Sequence, residues 1–319
     1  MLIHTLKSLL AAVGTGLLLT AAHPARAADP GIGDGAITLG MSAPFSGPNG
    51  AYGKEMREGA LAYFAQLNGA GGINGKKIEL VTLDDGYETD RTVANTRKLI
   101  DENKVFALMA YYGSSPTTEA MKLFSEAKTP LLGTISGAGS LRSPVNRYMF
   151  HLRASYADET EAIVNHLVGM GIANIAVFYQ NDGFGKSGKD GVVAALARHK
   201  LKPVAEGSVE RNSLQVEAAV AQIAKSNPQA VIMVTLYKPT AEFIRQMRKA
   251  GQMPQFATLS PIGADLLVGE MGAKDAHGVG ISQVMPAINH SFWKGMSREH
   301  ATAQRKNEST HRHRCVDHR

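Results

Sequence analysis

From Ile37 onward the sequence alternates short apolar runs with longer stretches whose apolar side chains recur at helical spacing. Apolar runs at 37–41, 77–83, 105–110, 130–134, 174–179, 203–209, 230–235, 255–259 and 278–284 predict strands. Helices are predicted over 54–68, 90–103, 156–170, 187–199, 213–225, 239–250 and 263–271, with one more opened by Ser115-Pro116, a Ser N-cap ahead of a first-turn proline. A strand that returns through a helix must lie parallel to its predecessor, and the helices must cover the sheet's faces. The chain is therefore α/β, with mostly parallel sheets flanked by helices. In such sheets ligands sit beyond the carboxyl ends of the strands, so the residues just after each strand are the ones to examine.

Those loops share a chemistry. They run Ser42-Ala-Pro-Phe-Ser-Gly-Pro, Gly113-Ser-Ser-Pro, Thr134-Ile-Ser-Gly-Ala-Gly-Ser, Asn181-Asp-Gly-Phe-Gly-Lys-Ser, Leu236-Tyr-Lys-Pro and Ser260-Pro-Ile-Gly. Hydroxyls and exposed N–H groups at helix starts hold anions such as carboxylates, and aromatic rings cover the apolar part of a small ligand. No nucleophile stands with its base. Gly183-Phe-Gly-Lys-Ser187 has one residue where a phosphate loop needs four between its first glycine and the Gly-Lys-Ser. Gly31 to Gly35 precedes the first strand instead of following it, so it is no dinucleotide fingerprint. Asp84 and Asp85 are adjacent on a strand and point to opposite faces, a poor acid pair. They read as a solvated loop with helix-capping potential.

The ends differ from the body. Lys7, the apolar run Leu9 to Thr20 and Ala25-Arg26-Ala27 have the three parts of a secretory signal peptide over 1–27, cleaved near Ala27. The run is too short to span a membrane. The net charge of +6 lies in the two ends: residues 290–319 carry seven basic against three acidic side chains, and the body is neutral. A neutral body gives no electrostatic reason to expect nucleic acid as a partner. The single cysteine excludes an intrachain disulfide framework and any multi-cysteine zinc site. From His290 the apolar periodicity stops. His311, His313, Cys315 and His318 are spaced as metal ligands, but the segment reads as a frameshifted or misread terminus, basic and without compact structure.

The stretches ITLGMSAPFSGPNGAYGKEMREGALAYFAQLNGAGGINGKKIELVTLDD, YYGSSPTTEAM, PLLGTISGAGSLRSP, RYMFHLRASYADET, FYQNDGFGKSGKDGV and VTLYKPTAEFIRQMRKAG together resemble the periplasmic solute-binding proteins of branched-chain amino-acid-type ABC transporters, from about residue 36 to 286. The resemblance implies a two-lobed type I periplasmic-binding-protein fold, with an N-terminal lobe over 28–153, an incomplete C-terminal lobe over 154–283 and an atypical basic tail over 284–319. It implies a small-molecule ligand in the cleft between lobes, hinged closure, delivery to an ABC transporter permease, a periplasmic location, and neither enzyme activity nor a cofactor. Relatives continue for several more elements than this chain does.

Carried over position by position, the resemblance places Tyr52 as an aromatic over the ligand and Ser114 as the holder of its carboxylate. Ser115 caps the following helix. Ser136 and Ala138 stand where relatives offer a carbonyl and a threonine hydroxyl, and Ala138 lacks the hydroxyl. Phe184 replaces a frequent tyrosine, and Tyr237 supplies a second aromatic. Ser260 stands where amino-acid-binding relatives carry an acid for the ligand's ammonium. A buried ammonium without a counter-charge is costly, so the ligand expected is a carboxylate with an apolar or aromatic body, amino-acid-like but not strictly leucine-type. The competing expectations are a ligand-sensing receptor module and a nonfunctional truncated product.

Overall fold

A computed structural model describes residues 29–284. The signal-type segment and the basic tail from residue 285, with its histidine-rich cluster, lie outside the described residues. Two five-stranded sheets follow one another along the chain, and every pairing between their strands is parallel.

The first sheet has the order β2-β1-β3-β4-β5. Its strands are β1 (Ala36–Ala43), β2 (Lys77–Asp84), β3 (Ala107–Met109), β4 (Leu131–Leu132) and β5 (Met149–Phe150). The connections carry α1 (Gly50–Gly69), α2 (Thr89–Asp101) and α3 (Ser114–Glu126). Met41, Leu99, Leu108, Phe124 and Leu131 fill its core. The second sheet has the order β10-β9-β8-β6-β7, built from β6 (Ile175–Gln180), β7 (Glu206–Val209), β8 (Ala230–Val234), β9 (Gln255–Thr258) and β10 (Gly280–Ile281). Around it lie α4 (Tyr156–Gly169), α5 (Gly183–Arg198), α6 (Glu217–Lys225), α7 (Tyr237–Lys249), α8 (Ala264–Met271) and the one-turn α9 (Ala273–Ala276). All five residues of β8, Ala-Val-Ile-Met-Val, are buried, as expected of a central parallel strand covered on both faces. Phe178 of β6 stacks on Phe243 of α7 with ring centroids 4.1 Å apart and planes 11° apart. Among the described residues, one connection, 151–155, joins the two sheets.

Helix starts are where the sequence-based expectations shift. The helix expected from 187 begins at Gly183, because the Asp182 carboxylate accepts the N–H groups of Phe184 (2.9 Å) and Gly185 (3.2 Å). The would-be phosphate loop is thus a first helical turn whose free N–H groups are already taken by an aspartate. Ser115 is not the cap of α3. The helix begins at Ser114 after Gly113, whose φ of +98° favours glycine, and Ser115 lies inside its first turn. Asp85 is fully buried and not solvated. It accepts from Ser42 (2.8 Å), Thr92 (3.1 Å) and the Tyr87 N–H (2.9 Å). Two elements carried no periodic signal: β5, with two residues, and α9, with four. Along the β5 edge Phe150 and Leu152 are exposed, Leu152 by 85%.

Candidate functional site

The carboxyl ends of both sheets face each other, and the loops beyond them meet. Tyr52 enters from the first turn of α1. Its ring stacks on Tyr112, just past β3, at 4.6 Å and 23°, and meets Tyr237 edge-on at 5.5 Å. Its hydroxyl donates to the Ile262 carbonyl (2.8 Å) and accepts the Tyr237 N–H (3.3 Å), bridging from the first lobe to two loops of the second. Tyr237 returns the contact by donating to the Pro48 carbonyl (3.0 Å), and Tyr112 donates to the Pro261 carbonyl (3.2 Å). Tyr87 packs against Tyr112 at 5.6 Å and accepts from the Gln180 amide (3.2 Å). Burial holds the phenols of Tyr87 and Tyr112 well above their ordinary range, so they are neutral hydrogen-bonding groups.

Beside this aromatic group lies the hydroxyl pair. Ser114 and Ser136 are buried with their Oγ atoms 2.8 Å apart, and Ser136 accepts the Ala138 N–H (3.2 Å). Tyr156, at the start of α4, adjoins them. Its own N–H donates to the Gly137 carbonyl (2.8 Å), and its ring lies 5.2 Å from Phe184. Ser115 bonds across the cleft: its hydroxyl donates to Asp182 (3.2 Å) and accepts the Gly183 N–H (3.0 Å). At the rim Asn49 donates to Asn212 (2.6 Å), which donates to Glu88 (2.6 Å), and Arg211 donates to Thr89 (2.6 Å).

Ser260 occupies the other end. Arg153, from the connection between sheets, donates through Nη2 to Ser260 Oγ and to Glu159 Oε1 (2.9 Å). The other Glu159 oxygen accepts the Ser260 N–H (2.8 Å) and the Ser282 hydroxyl (2.6 Å). The Arg153 and Glu159 side chains are only 10% and 3% exposed. An acid, Glu159, thus reaches Ser260 from α4 and is engaged there by an arginine.

Residues 36–296 match the family model described as periplasmic binding protein. The chain belongs to that family. Among solved structures, this member is similar to a possible leucine/isoleucine/valine-binding protein from Rhodopirellula baltica SH 1. The two are 37% identical, with a TM-score of 0.76 over 81% of this chain and 71% of the other. A substrate-binding periplasmic protein from Ralstonia solanacearum is 32% identical, with a TM-score of 0.78 over 85% of this chain and 78% of the other. An amino acid binding protein from Pseudomonas aeruginosa is 27% identical over 74% of this chain. The matched part spans 63% of that relative's length.

The structure brings Tyr52, Ser114, Ser115, Ser136, Ala138, Phe184, Tyr237 and Ser260 to the facing ends of the two sheets. Sequence reasoning missed Tyr87, Tyr112, Tyr156, Arg153 and Glu159. Tyr112 lies two residues past a predicted strand and Tyr156 is the first residue of a predicted helix, so position alone could have flagged both. Glu159 gives no signal, because it is one acid inside an ordinary helical stretch. Among the described residues no group of three or more His, Cys, Asp or Glu side chains could hold a metal ion.

Proposed function

We propose that the chain is a substrate-binding component that captures a small carboxylate outside the cytoplasm and hands it to an ABC permease. The observation that carries the reading is the convergence, where the lobes meet, of the Ser114–Ser136 hydroxyl pair with aromatic rings from both sides. Hydroxyls and the first N–H groups of α3 suit a carboxylate, and the rings suit an apolar body. The names of the Pseudomonas and Rhodopirellula proteins support an amino-acid-like ligand. The export-type N-terminus and the family support a periplasmic location.

The test is a thermal melt of the chain with amino acids and with aromatic and short-chain carboxylates. A ligand at about 100 times its dissociation constant adds about 2.7 kcal/mol, which raises the midpoint by about 4–5 °C for a chain of this size. A cooperative melt that no acid shifts would overturn the reading.

A further inference from the structure

The Ser260 end of the cleft holds a buried guanidinium N–H without a protein acceptor, that of Arg153 Nε. Three buried side-chain polar atoms among the described residues lack a partner: Arg153 Nε, Arg142 Nε and His151 Nδ1. All three belong to residues at or beside the connection between the lobes. Arg142 lies behind Arg153, its Nη2 donating to the carbonyls of Arg153 (2.7 Å) and Ala154 (3.2 Å). His151 Nε2 donates to the Leu141 carbonyl (3.0 Å), which leaves its Nδ1 as an acceptor.

Each guanidinium has an acid near it: Glu159 pairs with Arg153 at 2.9 Å, and the charge of Asp158 acts on Arg142. Asp158, the acid before Glu159 on α4, also accepts the N–H and hydroxyl of Ser155 at the helix start. Glu159 already accepts three hydrogen bonds, one from Arg153 on one oxygen and two, from Ser260 and Ser282, on the other. Arg153 still has an unpartnered Nε–H, and its guanidinium lies 5.7 Å from the centre of the Tyr156 ring. A buried guanidinium N–H without an acceptor is costly, and the group that satisfies it best is an anionic oxygen.

We propose that Arg153 is a specificity-determining residue of the cleft: its guanidinium receives an anionic group of the ligand at the end where an amino acid would place its ammonium, so the preferred ligand is a dicarboxylate. The proposal rests on the binding reading above and narrows its substrate class. One carboxylate lies at the Ser114–Ser136 pair, the apolar body lies among the tyrosines, and the second carboxylate lies at Arg153. An ammonium at that end would meet a guanidinium and an acid already paired with it.

Calorimetric titration of the full chain with succinate, glutarate, adipate and phthalate, each beside its monoamide and beside leucine, tests this. At least one diacid binds ten or more times tighter than its monoamide and than leucine. Arg153→Gln narrows that gap to about threefold or less while monoamide affinity changes little. Ser260→Asp, which places an acid against the guanidinium, narrows it equally and carries the test if the first variant does not fold. Binding of monoacids or leucine as tight as that of every diacid would overturn the dicarboxylate assignment and leave the binding function standing. No binding by any acid or amino acid would overturn both.

Discussion

Replacing Glu159 with glutamine removes a charge and almost no volume, yet it should be among the most damaging single changes in the second lobe. Both carboxylate oxygens accept: Oε1 from Arg153 at 2.9 Å, Oε2 from the Ser260 N–H at 2.8 Å and from Ser282 at 2.6 Å. A glutamine amide must turn its NH2 toward one of these sets of donors, so donors face donors in either orientation. The Arg153 charge, nine-tenths buried, loses its only carboxylate partner. Breaking a buried pair from one side costs about 3–5 kcal/mol. Arg153→Met breaks it from the other side at a similar cost. The double variant leaves no stranded charge, so its loss falls short of the sum by about 1–3 kcal/mol. Urea denaturation read by circular dichroism gives all three values from the midpoints. Each single variant should also melt about 5–8 °C lower. Single losses under about 1 kcal/mol, or strict additivity, would mean that water reaches the pair.

Tyr52→Phe strands the Ile262 carbonyl and the Tyr237 N–H only while the lobes are in contact, so ligand affinity should fall roughly 5–150-fold with little change in the urea midpoint. A lowered midpoint at unchanged affinity would contradict that. Gly113→Ala forces a left-handed φ of +98° on alanine and sets its Cβ 2.5 Å from Tyr87 Cε2; a loss of about 2 kcal/mol or more is expected, and a neutral outcome would show that Tyr87 can move away freely. Burial, reinforced by Arg142, holds the His151 imidazole below its ordinary 6.5. The unfolded chain then binds the proton first, so stability should fall as pH drops below about 6.5, and His151→Gln should flatten that slope between pH 7.5 and 5.

The alternation of strands and helices, and therefore the parallel sheets, was open to reading because each long element carries its own periodicity. β8 and β6 are continuous apolar runs, and α7 buries Phe243, Ile244 and Met247 at helical spacing. Elements of two to four residues, β5 and α9, have no period to read. The hydroxyls at 114 and 136 and the rings at 52, 184 and 237 were legible because they follow strands or open helices, where the topology puts the ligand side. Ser115 was misjudged because Ser-Pro is a strong capping signal, while its actual partners, Asp182 and Gly183, lie on the other lobe. Glu159 and Arg153 were invisible for the same reason: their meaning depends on Ser260, about a hundred residues away, and no local pattern encodes that pairing.

The five strands of the first sheet all precede residue 151, and the five of the second all follow residue 174. Parallel neighbours must wait for a helix to form between them, so each sheet assembles through distant contacts and slowly. Because the two sets are not interleaved, the five described strands of the first sheet can pair with one another before those of the second do. During that interval β5 is a bare edge with Phe150 and Leu152 beside it, open to pairing with another nascent chain. A polar substitution at Leu152 should raise soluble yield without touching the cleft, because what it changes is the company the first lobe keeps while it waits for the second.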